Sequence, residues 1–139
     1  MCYNAYNRKF WREVIVLLIK IDFNSDEAFY IQVRNQVIMS IATDAIGEGD
    51  SLPSVRRLAR DTGINMHTVN KAYSLLKSEG FIQLDRRKGA IIAVDIDKMK
   101  AINELRNNLR ILLAASSCKN ITRREIHQLV DEIIDEYQS

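Results

Sequence analysis

The sequence predicts a mostly α protein of the α+β class, and three observations carry that prediction. The stretches Leu52-Pro-Ser-Val-Arg-Arg-Leu-Ala, Gly63-Ile-Asn-Met-His-Thr-Val and Glu79-Gly-Phe-Ile set helix starts and stops at the spacing of two short helices joined by a tight turn. Arg86-Arg-Lys-Gly lies between the short apolar runs Phe81-Ile-Gln-Leu-Asp and Ala90-Ile-Ile-Ala-Val, which reads as a hairpin with a basic tip. Beyond residue 96 apolar residues recur only at helical spacing. Together these describe a winged helix-turn-helix domain followed by a two-helix segment.

The first of these elements is a helix expected over residues 26–46. Ser25 serves as N-cap, Asp26 and Glu27 fill the first turn, and Phe29, Tyr30, Val33, Val37, Ile38, Ile41 and Ala42 form the apolar face. Gly47 and Gly49 stop it. After Pro53, Ser54 caps a short helix to about Asp61, Gly63 takes the turn, and Asn65 caps the next helix to about Ser78. Ala59, Val69 and Ala72 let the two helices cross closely, while Leu58, Ile64, Leu75 and Leu76 fill the space around them. Met66, His67, Asn70, Lys71 and Ser74 then fall on the outer face, with Thr68 near the helix start.

Two helices close the chain. Met99, Ile102, Leu105, Leu109, Leu112 and Leu113 stripe the first, and Ser116–Asn120 is expected as the loop after it. Thr122 and Glu125 form a capping box, and Ile126, Leu129, Val130, Ile133, Ile134 and Tyr137 stripe the second. Two helices cannot enclose a core alone, so the stripes must pack on the preceding domain or on another chain. The expected organisation is an extension over 1–20, a winged helix-turn-helix domain over 21–95 and a helical dimerisation segment over 96–139.

Net charge is +2 over the 139 residues, but it is unevenly placed. Residues 50–94 carry eight lysines and arginines against four acids, whereas the flanking segments are each at −1. A positive helix-turn-helix with a basic hairpin tip fits nucleic acid, with the second helix in the DNA major groove and the wing beside it. No nucleophile–base pair, phosphate loop or metal-ligand cluster is present, and His67 and His127 lie on separate helices; neither catalysis, a metal nor a cofactor is expected. Cys2 and Cys118 are too few for a disulfide framework. The apolar run Val14–Ile19 is far shorter than the ~20 residues a membrane span needs and lacks a cleavage site, so a cytoplasmic protein with no membrane partner is expected.

From Leu52 to Ala59 the chain resembles the GntR family of bacterial transcription regulators, and the similarity extends over residues 21–94, from Ile21-Asp-Phe through Glu79-Gly-Phe-Ile to the basic wing. Tyr73 and the short two-helix C-terminus resemble the YtrA-type subfamily. The resemblance implies a homodimeric repressor that binds double-stranded operator DNA, commonly at an operon for a membrane transporter, and that lacks the large ligand domain of other branches. It implies DNA contacts from Arg56, Asn65, His67, Thr68, Asn70, Lys88 and Gly89, with Arg56 reading a guanine, and Ser54, Met66, Lys71 and Arg87 are expected on the same surface. The uncovered stripes of the two C-terminal helices place the dimerisation contacts at Leu109, Leu112, Leu113, Ile126, Leu129, Val130, Ile133, Ile134 and Tyr137. Met66 and Asn70 stand where several GntR branches carry arginine, so the operator need not resemble theirs; the wing, Arg-Arg-Lys-Gly-Ala, departs from the family in lacking the usual glycine before its basic residue and threonine after the second glycine. A pocket for an unknown small-molecule effector at the dimer interface stays open, as does the alternative of a winged-helix protein-interaction or RNA-binding module.

Overall fold

The computed structural model describes residues 19–138 and divides the chain into two compact units between Asp95 and Ile96. The expectations for residues 1–18 lie outside the described residues. Helix α1 (Phe29–Ala42) starts three residues later than the sequence predicts, at Ala28 rather than Ser25, and has no side-chain cap. The Ser25 hydroxyl accepts instead from the Glu27 N–H at 3.1 Å. The buried Gln32 holds this segment in a turn. Its Oε1 accepts from the Asp22 N–H at 2.8 Å, and its Nε2 donates to the carbonyls of Asp22 and Glu27, each at 3.0 Å. The helix also ends before residue 46. Asp44 turns the chain with φ +59°, a conformation that aspartate tolerates, and Ile46 drops into the core.

Helix α2 (Val55–Thr62) is capped by Ser54, whose hydroxyl accepts from the Arg57 N–H at 3.2 Å. Gly63 ends it in the left-handed region at φ +76°, where a Cβ would be strained. Helix α3 (Met66–Ser78) follows after two residues, capped by Asn65, whose side-chain Oδ1 accepts from the His67 N–H at 2.8 Å. It closes in a Schellman turn, in which Gly80 N–H bonds to Lys77 O and Phe81 N–H to Leu76 O. That turn withdraws Phe81 from the expected strand, so β1 spans Ile82–Asp85.

β1 pairs antiparallel with β2 (Gly89–Ile92) in the register Ile82 opposite Ile92 and Asp85 opposite Gly89. The loop from Gly49 to Leu52 lines the other edge of β2 through a Ser51–Ile91 bridge and backbone bonds of 2.8 Å from Gly49 N to Ile92 O, Ile92 N to Asp50 O and Leu52 N to Ala90 O. β2 is thus satisfied on both sides. It ends before the expected Val94 because the next N–H groups go elsewhere: Ala93 to Phe81 O, Val94 to the Glu48 carboxylate and Asp95 to Gly80 O. The core gathers Val33 and Val37 of α1, Leu58 and Ala59 of α2, Val69, Ala72 and Leu76 of α3, and Ile82 and Ile92 of the hairpin. Ile19, which the sequence assigns to the extension, is also buried there, and Lys20 exchanges two hydrogen bonds with the Gln36 side chain.

The second unit consists of α4 (Lys98–Cys118) and α5 (Arg123–Gln138). Helix α4 runs through Ser116–Cys118, which the sequence assigns to the loop. The Ser116 hydroxyl donates to Leu112 O at 2.8 Å and so stays compatible with helix. A second Schellman turn follows, with Asn120 at φ +60° and Ile121 N–H bonded to Ser116 O. The capping box of α5 forms as expected: Thr122 Oγ1 accepts from Glu125 N–H at 3.2 Å, and Glu125 accepts from Thr122 N–H at 2.7 Å. The Thr122 N–H, joined by the Thr122 hydroxyl donating to the same carboxylate at 2.9 Å, holds the Glu125 carboxyl below its usual pKa range. No residue from 96 to 138 is buried, and α4 and α5 are not packed along their lengths.

Candidate nucleic-acid interface

Helix α3 divides cleanly by burial. Val69, Ala72, Tyr73 and Leu76 face the core, while Met66, His67, Asn70, Lys71 and Ser74 are exposed and Thr68 is half-buried. Helix periodicity puts these two sets on opposite faces, so the outer face offers hydroxyl, amide, imidazole and thioether groups to a partner. Lys71 differs from the rest. Its ammonium stands 4.0 Å above the centre of the Tyr30 ring on α1, a cation–π contact that spacing along the chain does not reveal.

Further contacts fix how α3 sits. Arg34 of α1 forks onto the Glu79 carboxylate at the end of α3: its Nε donates to Oε1 at 3.2 Å and its Nη2 to Oε2. Tyr30 and Arg34 are one helical turn apart, so α1 grips α3 at two places. The Tyr73 hydroxyl, pointing inward, donates to the Pro53 carbonyl at 2.7 Å and ties α3 to the residue before the α2 cap. Burial pushes that hydroxyl well above the usual tyrosine pKa.

On α2, Arg57 and Arg60 each lie 3.6 Å from the Asp61 carboxylate. Arg56 is exposed and, among the described residues, makes no ion pair, which leaves its guanidinium fork open. The wing tip is ordered by an acid that the sequence reading passed over. Asp85 Oδ1 accepts from the N–H groups of Lys88 at 2.9 Å and Arg87 at 2.7 Å, and these bonds hold its carboxyl below the usual range. The signal was present, because an aspartate opening a turn that glycine closes is known turn chemistry. Gly89 closes it at φ +73°, and Arg86, Arg87 and Lys88 are displayed, exposed, on a fixed loop.

This helix-turn-helix and wing match the model for bacterial regulatory proteins of the gntR family over residues 29–92. The transcriptional repressor YtrA of Bacillus subtilis is 31% identical over 122 residues, which span 84% of this chain and 92% of that protein. The chain belongs to the GntR family. Two solved structures carry the GntR likeness into three dimensions. YtrA from Sulfolobus acidocaldarius, a GntR-family transcription factor, is 37% identical and covers 73% of this chain and 98% of its own, with a TM-score of 0.62. A protein titled transcriptional antiterminator from Listeria monocytogenes EGD-e is 29% identical over 81% of this chain and 87% of that one, with a TM-score of 0.73. This GntR protein is a DNA-binding transcription regulator of YtrA type, and its relatives are regulators rather than enzymes. Among the described residues no helix is long and apolar enough to cross a membrane.

Proposed function

We propose that this protein is a homodimeric repressor that binds a two-fold operator, with α3 in the major groove and the wing beside it. The observation that carries this reading is the exposed polar face of α3, backed by a buried one and flanked by Arg56 of α2 and the wing cations, which among the described residues make no ion pair. Base edges are read by Arg56, whose planar fork suits guanine O6 and N7, and by Asn65, Met66, His67 and Asn70. Ser54 and Thr68, at helix starts, hold phosphates with their hydroxyls. Arg87 and Lys88 supply charge at the wing, Gly89 lets the backbone approach closely, and Lys71, directed at Tyr30, acts at the edge of the contact. Leu109, Leu112, Leu113, Ile126, Leu129, Val130, Ile133, Ile134 and Tyr137 build the dimer, a role supported by the fact that none of them is buried in the single chain. The regulated genes are a local operon, as for a repressor that controls its own promoter.

Footprinting on the promoter upstream of the native gene supplies the operator, and two variants then test the division of labour. Arg56→Ala costs about 1–3 kcal/mol per half-site and relaxes preference at one base position. Lys88→Ala weakens operator and scrambled duplex alike and reduces the salt slope by about one unit. Equal loss on both duplexes for Arg56→Ala would make it a phosphate clamp and overturn its base-reading role.

A further inference from the structure

Two helices joined by a four-residue turn ordinarily cover one another. Here α4 and α5 leave both apolar stripes open, and the charges flanking those stripes are complementary. Helix α4 carries four lysines and arginines against one acid, and α5 carries two against five. Arg106 and Arg110 line the groove formed by Ile102, Leu105, Leu109 and Leu113. They are spaced i and i+4, so they project from one side of α4. Among the described residues neither meets a carboxylate; Arg106 only approaches the Asn103 amide at 3.4 Å.

Glu132 and Glu136 have the same spacing beside the Leu129 edge of α5. Glu132 accepts from the Gln128 amide at 3.0 Å, and among the described residues neither glutamate meets a cation. Glu136 lies in the last turn of the helix, which holds no basic residue and where the helix dipole disfavours an anion. Cations from outside the helix would relieve that.

We propose that the groove of α4 is filled by α5 of a second copy of the chain, held in register by a charge ladder in which Arg106 and Arg110 of one copy meet Glu132 and Glu136 of the other. This rests on the homodimer reading and specifies how its interface is arranged. Pairing α4 with α4 would set arginine against arginine, and pairing α5 with α5 would set acid against acid. The reciprocal α4–α5 pairing satisfies both, and two-fold symmetry repeats it on the other side. Ion pairs flanking an apolar seam set partner and orientation, which is the role assigned to these four residues.

The test mixes charge-reversed full-length chains. Arg106→Glu/Arg110→Glu and Glu132→Arg/Glu136→Arg each dimerise about tenfold more weakly than the wild type, because every rung becomes like-charged. Mixed in equal amounts they form a heterodimer with a Kd within about threefold of wild type, since each reversed rung again faces its opposite across the interface. Sedimentation equilibrium measures the Kd values, and native mass spectrometry identifies the heterodimer. If mixing restores nothing while the quadruple variant dimerises normally, the ladder lies within one chain and the proposal is overturned. Undiminished dimerisation of both double variants also overturns it. A wild-type chain that stays monomeric would instead overturn the homodimer reading itself. Should circular dichroism show that a reversed chain has lost helix, Arg106→Gln/Arg110→Gln carries the test. Its dimer Kd must depend less on salt than the wild type's, and an unchanged salt slope overturns the ladder.

Discussion

Replacing Tyr73 by phenylalanine removes one oxygen from the centre of the domain and leaves the ring in place. Tyr73 is only 5% exposed, and its hydroxyl donates to the Pro53 carbonyl at 2.7 Å. A net intramolecular hydrogen bond is worth about 1 kcal/mol, and a half-buried carbonyl left short of a partner adds to the loss, so at pH 7 the variant is about 1–2 kcal/mol less stable. The sign of the pH dependence follows from burial, which raises the folded-state pKa above the unfolded value of about 10. The stabilisation is complete below that value and is lost as the pH climbs towards the folded pKa, because the unfolded chain releases its proton first. From pH 9 to pH 11 the wild type loses about 1.4 kcal/mol that the phenylalanine variant does not lose. The two curves therefore converge near pH 11. Urea denaturation of both proteins at pH 7, 9, 10 and 11 measures this directly. A gap that stays constant to pH 11 would mean that the hydroxyl ionises as easily folded as unfolded, and no gap at pH 7 would mean that the bond to Pro53 contributes nothing.

Asp85→Ala weakens DNA binding several-fold although it removes an anion from a surface that faces phosphates, because the wing tip loses the acceptor that fixes Arg87 and Lys88; Asp85→Asn, which keeps an acceptor oxygen, binds at least as well as wild type. Fluorescence anisotropy at two salt concentrations decides this, and tighter binding by the alanine variant would show that local charge outweighs tip order. Asn65→Ala removes the α3 cap and costs about 1 kcal/mol, seen as a fall in Tm of about 4–8 °C for a domain of this size.

The features that were legible in the sequence are those decided within three or four residues. Ser54, Asn65 and the Thr122–Glu125 box cap helices because a short polar side chain reaches an N–H two or three residues on, whatever the tertiary fold. Ser25 offers the same local signal and does not cap, because Gln32, seven residues later, binds Asp22 and Glu27 and holds them in a turn. The burial of Val69, Ala72 and Leu76 followed from helical period. The partners of Lys71, Tyr73 and Glu79 did not, since Tyr30, Pro53 and Arg34 lie 20 to 45 residues earlier and meet α3 only once the helices cross. The exposed face of the candidate site was therefore readable, and the supports that hold it were not.

The three N–H groups of Ala93, Val94 and Asp95 decide where mechanical load enters the first unit. The chain leaving β2 is fastened to Phe81, Glu48 and Gly80 before it reaches Ile96. Tension applied at Ile96 is borne first by the bond from Asp95 to Gly80, at 2.7 Å, immediately past the last turn of α3. The hairpin tip lies beyond that anchor and feels the pull only after the anchor yields. The first element to register strain from the C-terminal helices is thus the foot of the helix that presents the exposed polar face, and the wing is mechanically sheltered from it.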